Sequence, residues 1–370
     1  MKFVCNQKNL ASKMFIVQKA ISAKTSIELL KGVLLKARGD KLILTGYDLE
    51  IGIETSMESN VYEEGEIVIN AKLFGDIIRK LPEEPIEIST DNDNNMYINC
   101  KSSKFQLKGE SSEAYPKIPV FTNDELINIS QDLFKNMIKE TVFATSQDAT
   151  KPILMGELLE IKGDTVSLVA IDGYRLAVRS DKLESPLNDD VNKIVIPGKT
   201  LNDIASLISS EGGDIKIGFD DKNVIFIMNE AKVISRLLEG EFIDYTKLLA
   251  KEFNLKVKVN TNELRQSIER ASLLSLTEKN NLVKFAIRES AIIITSNTEK
   301  GNIVEEVNIE TEGDSLDIAF NARYILDVLK VIESDEIYME FTTNVNPCII
   351  KPCSDEDYTY LLLPVRVSNM

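Results

Sequence analysis

Two short stretches carry the side chains that could most directly do chemistry. "STDNDNN" (Ser89 to Asn95) and "FDDKN" (Phe219 to Asn223) cluster carboxylates and amides that could hold a divalent cation for a hydrolase or phosphotransferase. Both lie between strand-like runs, where Asp and Asn are ordinary turn formers. Histidine is absent from all 370 residues. That removes imidazole acid/base catalysis, Ser-His and Cys-His nucleophiles, and the commonest metal ligand. The sequence has no glycine-rich phosphate loop and no Gly-x-Ser-x-Gly elbow. Cys5, Cys100, Cys348 and Cys353 form no CxxC pair and no zinc-like spacing, and read as reduced thiols. Catalysis is disfavoured and no cofactor is expected, so recognition becomes the chemistry to look for.

Two features suit recognition. In "AIDGYRLAVRS" an Asp-Gly turn interrupts an apolar strand and sets Tyr174, Arg175 and Leu176 on the lip of a hairpin, with Gly173 free to take the positive φ of a tight turn. The second feature is charge. The net charge of −16 should repel nucleic acid at long range. Yet no acidic residue precedes Glu28, while Lys2, Lys8, Lys13, Lys19 and Lys24 are basic, as expected of a first helix facing a polyanion.

The elements that position these residues recur. "IVINAKLFGDIIRKLPEEPIEIS", "IVIPGKTLNDIASLISSEGGDIKIG" and "IAFNARYILDVLKVIESDEIYME" each read strand, turn, helix, strand. Aligned on Asn70, Pro197 and Asn321, each places a base two residues on (Lys72, Lys199, Arg323) and an aspartate six residues on (Asp76, Asp203, Asp327). "KLILTGYDLEIGI", "VSLVAIDGYRLAV" and "AIIITSNTEKGNIV" repeat as hairpins with the same period. A helix-like segment precedes each hairpin, and the last opens on Asn260 as an N-cap with Glu263 in its first turn.

The chain therefore reads as three α+β domains, 1–122, 123–248 and 249–370. Each has helices over one face of an antiparallel sheet whose alternating strands bury that face. Side-by-side repeats leave open sheet edges, which a second copy can close head to tail into a ring. The bases at the shared helix position, with others on the helices (Lys135, Lys139, Arg265 and Arg270), would then line a hole fit for a polyanion. The N-terminus lacks a signal-peptide pattern, and no apolar run nears the roughly 18 residues of a membrane span, so a cytoplasmic location is expected.

In the order and spacing of "PILMGELLEIKG", "LVAIDGYRLAV", "LLEGEFIDY", "FNARYILDVL" and "YLLLPVRV", the sequence resembles the bacterial sliding clamp family, the beta subunits of DNA polymerase III. The resemblance spans nearly the whole chain. It implies three DNA-clamp domains, a head-to-tail homodimeric ring around double-stranded DNA, and no chemistry of its own. The implied role is that of a polymerase processivity factor, with the replicative polymerase, the clamp loader and repair proteins as partners. Lys24, Lys72, Lys199, Arg323, Gln147 and Lys151 are the implied DNA-facing residues.

The resemblance also implies a hydrophobic pocket for partner peptides ending in leucine and an aromatic residue. One wall comprises Leu154, Ile171, Gly173, Tyr174, Arg175 and Leu176. Ile243 and Leu248 come from the interdomain linker, and Val345, Leu361, Leu363, Pro364, Val365 and Arg366 complete the cleft. Arg175 or Arg366 would orient the peptide. The ring seam would set Phe105 and Leu107 of one chain against Leu273 and Leu274 of the other. The sequence departs from the family pattern at Ile243 and Glu28, where proline is usual, and at Ile171, where a small hydroxyl residue is usual. The rival to a clamp is a peptide-binding scaffold that never surrounds DNA, and dimerisation separates the two.

Overall fold

A computed structural model describes residues 1–22, 25–119, 121, 126–183, 192–208, 212–228, 231–249, 252–275, 281–299, 301–354 and 357–366. Each repeat contributes two helices: α1 (Gln7–Val17) and α2 (Ala71–Lys80), α3 (Gln131–Thr141) and α4 (Gly198–Leu207), α5 (Thr261–Ser275) and α6 (Ala322–Val331). By packing, the chain forms two compact units. One is Met1–Phe134 with Asp203–Leu237, and the other is Lys135–Asn202 with Leu238–Met370.

In the first unit the strands Ile127–Ser130, Asp214–Phe219, Asn223–Ile227 and Ala231–Arg236 continue the sheet of Ile51–Glu58, Lys41–Tyr47, Gly32–Arg38 and Gly65–Asn70. The join is antiparallel, with Val233 opposite Ile53. A second sheet runs Asn60–Glu63, Lys2–Asn6, Pro85–Thr90, Asn95–Cys100 and Ser103–Lys108, so the last of these is an edge strand. Helix α2 buries Ala71, Phe74, Gly75 and Ile78, a stripe at three- and four-residue spacing. Gln7 Nε2 donates to the Ile78 carbonyl at 2.7 Å and Gln18 Nε2 to the Ala71 carbonyl at 2.7 Å, lashing α1 to both ends of α2.

The second unit holds one run of twelve paired strands, in which Arg175–Lys182 pairs with Tyr358–Leu362. The long strand Gly301–Gly313 pairs with Ala291–Thr298 through its first part and with Leu255–Asn260 through its last. Helices α5 and α6 cover the core around Phe285, Phe320 and Ile325. Asn260 caps α5, its Oδ1 accepting from the Glu263 amide at 3.0 Å, as the sequence predicts.

The expectation of one buried sheet face holds for Ala291–Thr298, whose residues alternate in burial. It fails for Thr165–Ile171, where Val166 to Ile171 are all buried. Ala170 there joins the core that α5 and α6 also line, while Val169 and Ile171 join a separate cluster with Leu154, Leu176, Tyr245 and Leu361. An apolar layer on both faces removes the polar side that alternation assumes.

Candidate partner-binding cleft

The hairpin at Asp172 and Gly173 is built as its residue types require. Gly173 has φ +94°, open to glycine and strained for other residues. Asp172 Oδ1 accepts from the amides of Tyr174 (2.8 Å) and Arg175 (3.1 Å), closing the turn. Arg175 lies beneath the turn, only 8% exposed. Its Nε donates to Asp172 Oδ2 (2.9 Å), its Nη1 to Asp327 Oδ2 (2.7 Å) and its Nη2 to the Phe143 carbonyl (2.6 Å). The guanidinium carbon sits 5.2 Å from the Phe143 ring centroid and 4.7 Å from that of Tyr324. Tyr174 is instead 59% exposed, and its ring stacks on Tyr324 at 5.8 Å between centroids.

The expected pocket residues divide into a buried set and an exposed set. Leu154, Ile171, Leu176 and Leu361 are buried together in one apolar cluster with Tyr245. Tyr245 anchors the linker: its hydroxyl donates to Glu160 Oε2 at 2.7 Å, and burial with that carboxylate holds the phenol well above its ordinary pKa. Tyr174, Ile243, Leu248, Val345 and Leu363 are large apolar side chains that remain exposed. Leu363 N donates to the Tyr174 carbonyl at 2.9 Å, so the C-terminal segment is fastened to the turn. Pro364 and Val365 follow half-buried, Val365 N donating to the Ala319 carbonyl at 2.8 Å, and Arg366 is exposed. The sequence reading missed exposed Met155, and it missed Phe143, Tyr324 and Asp327 as the supports of Arg175. Of these only Asp327 had a signal, its repeat position.

The basic positions are equally regular. Lys72, Lys199 and Arg323 are each the second residue of α2, α4 and α6, and each is exposed. A cation there opposes the helix dipole, whose N-terminal end is positive, so the placement does not serve helix stability. Gln147 and Lys151 are exposed on the loop after α3, and Lys24 lies outside the described residues. Lys139 pairs with Glu333 (2.9 Å), and Arg270 Nε donates to Glu305 (2.9 Å). The N-terminal basic run is largely spent within its unit: Lys2 lies 3.7 Å from Glu87, Lys19 lies 3.9 Å from Asp203, and Lys13 is buried.

Phe105 (38% exposed) and half-buried Leu107 lie on the edge strand Ser103–Lys108 of the first unit. In the second unit, α5 ends with Leu273 67% exposed and Leu274 half-buried, and Val304 is 65% exposed. The two acidic stretches are turns. Asp91 accepts from the Asn95 side-chain amide, from the backbone amides of Asn95 and Asp93 and from the Tyr97 hydroxyl, and these bonds pull its carboxyl down to about 2. Asp220 likewise accepts from the amides of Lys222 and Asn223. Among the described residues no group of three or more acidic or thiol side chains is placed to hold a metal. Burial pushes the Cys5 thiol up to about 12 and raises that of Cys348, away from a nucleophilic thiolate.

Helices laid over antiparallel sheets in three successive repeats, with exposed bases and exposed apolar side chains, define a binding subunit of the DNA-clamp class. Family models for the N-terminal, central and C-terminal domains of the DNA polymerase III beta subunit match residues 1–119, 128–244 and 246–366. The beta sliding clamp of Staphylococcus aureus is 35% identical over 376 residues, covering 99% of both chains. The crystal structure of the Bacillus subtilis DNA polymerase sliding clamp superposes with a TM-score of 0.96 at 35% identity, over 99% of each chain. A Pseudomonas aeruginosa sliding clamp solved bound to griselimycin gives a TM-score of 0.95 at 27% identity, over 99% of this chain and all of the other. The chain belongs to the DNA polymerase III beta subunit family, the bacterial sliding clamps. It is a polymerase processivity factor, a subunit with no catalytic activity of its own.

Proposed function

We propose that two copies of the chain close head to tail into a ring around double-stranded DNA and slide along it without reading sequence. The observation that carries this reading is the exposed base at the second position of α2, α4 and α6, repeated against the helix dipole. Loose phosphate contacts suit sliding, because they position without specifying and weaken with salt. Lys72, Lys199, Arg323, Gln147, Lys151 and Lys24 are the residues assigned to that surface, and Phe105 and Leu107 against Leu273 and Leu274 to the seam. Exposed apolar side chains on an edge strand are a liability unless paired, which favours a partner chain there.

The cleft around Tyr174 is assigned to partner peptides of the polymerase, the clamp loader and repair proteins. Exposed Leu248, Val345 and Leu363 would take apolar anchors, with exposed Arg366 free to meet peptide charge. Buried Arg175 serves the turn in this reading. The protein would act in the cytoplasm; no helix among the described residues is long and apolar enough to cross a membrane.

The deciding experiment is retention on DNA. The protein is loaded with its clamp loader onto a nicked plasmid, isolated in high salt, and the plasmid is cut once. Retention on the circle with loss from the linear form supports a topological link. Loss from the circle in salt, or retention after cutting, overturns the ring and favours a scaffold that does not encircle DNA.

A further inference from the structure

The three repeat aspartates use their charge differently. Asp76 pairs with Arg79 on its own helix, and Asp203 with Lys19 of the first repeat. Asp327 reaches a hairpin, taking Nη1 of Arg175 at 2.7 Å. Its helix holds the turn twice, because Tyr324 lies against both the Arg175 guanidinium and the Tyr174 ring. Three of the five Arg175 N–H groups are thereby committed to acceptors around and beneath the turn.

We propose that Asp327 is a positioning residue for partner peptides: through Arg175 it fixes the Gly173–Arg175 turn, and so the ledge that Tyr174 presents to the cleft. This rests on the cleft reading above. A guanidinium this enclosed needs its charged partners, since an uncompensated buried charge draws in water or moves. Without Asp327, Arg175 keeps Asp172 at Nε and the Phe143 carbonyl at Nη2 but loses its bond to α6, so its charge is only partly compensated and the hairpin loses that polar tie to the helix. The turn then gains freedom, and with it the Tyr174 carbonyl that receives Leu363 N and joins the two cleft walls. The residue touches no peptide. Its effect on affinity arises from preorganisation, which acts mainly on dissociation rate.

The test uses the full-length protein and a short fluorescein-labelled peptide ending in Leu–Phe, followed by fluorescence anisotropy and stopped-flow dissociation. Asp327→Ala is expected to weaken binding about tenfold, chiefly through faster dissociation. Asp327→Asn, which keeps the shape and one acceptor, should lose less, and Asp327→Glu should recover part of the loss. In a Tyr174→Ala background the same Asp327→Ala change should cost less than about twofold, because the ledge it positions is gone. A general loss of structure would instead carry its full penalty into that background. Should Asp327→Ala fail to fold, Asp327→Asn carries the same comparison. Wild-type affinity in the Asp327 variants, or an equal penalty with and without Tyr174, overturns the proposal while leaving the cleft intact. A wild-type chain that binds no peptide overturns the cleft reading and this proposal together.

Discussion

The Thr141 hydroxyl lies 2.5 Å from Glu157 Oε2 and 2.7 Å from the Met137 carbonyl oxygen. A hydroxyl has one proton and cannot donate to both acceptors. The carbonyl can only accept, so a proton directed there leaves the Thr141 oxygen to accept from a protonated Glu157 carboxyl. Glu157 is fully buried, and desolvation raises its pKa to about 8 against an ordinary 4.5.

A raised acid keeps its proton in the folded chain while the unfolded chain releases it. Stability should therefore fall as pH rises from about 4.5 to about 8 and level off above, by an amount on the order of a few kcal/mol. Glu157→Gln keeps the donor toward Thr141 and cannot ionise. Its urea midpoint should match the wild type near pH 4.5 and exceed it at pH 8.5. A wild-type profile flat over that range would refute the assignment.

Charge reversal at the helix starts should separate DNA binding from stability. Lys72→Glu, Lys199→Glu and Arg323→Glu each place an anion at the positive end of a helix, so thermal stability should hold or rise by about 0.3–1 kcal/mol. DNA affinity at low salt should fall for each, and the slope of log affinity against log salt should drop by about 1 per contact removed. Unchanged salt slopes would take these residues off the DNA surface.

Phe105→Asp with Leu107→Asp should give a folded monomer. Both side chains lie on an edge strand and neither is fully buried, so the fold loses little while an apolar seam acquires two charges. Light scattering should show the mass halved at an unchanged circular dichroism spectrum. A dimer of unchanged mass places the seam elsewhere.

The rim of the cleft should tolerate changes that its floor does not. Leu248→Ser and Leu363→Ser, at exposed positions, should each weaken a Leu–Phe peptide about tenfold or more, with the melting temperature held within a few degrees. Removing the whole segment from Leu361 is a different act. Leu361 and Leu362 are buried in a strand paired with Arg175 and Leu176, so that truncation should cost the fold itself. Wild-type peptide affinity in the two serine variants would move the site away from this rim.

Much of the molecule was legible from its periodicity. The bases at the starts of α2, α4 and α6, the Asn260 cap and the Gly173 turn follow from local residue types, which act over a few positions of chain. The contacts that failed to show are those made across the fold. Arg175 looked like a surface base because its acceptor at Asp327 lies far along the chain, and a lone arginine in a turn carries no sign of burial. The burial of Glu157 carries no local sign for a similar reason: alternation predicts a polar face, whereas Gly156 to Leu159 are all buried. Met155 was hidden beside Leu154, since two neighbouring apolar residues do not say which one faces outward.

The central repeat owns no sheet of its own. Ala231–Arg236 is zipped to Ile51–Glu58 of the first repeat, and Arg175–Lys182 to Tyr358–Leu362 of the third. Cutting the chain between repeats would therefore bare two strand edges of the middle piece at once, each a row of unpaired backbone groups. What the sequence repeats and what the chain folds as a block are different lengths of sequence.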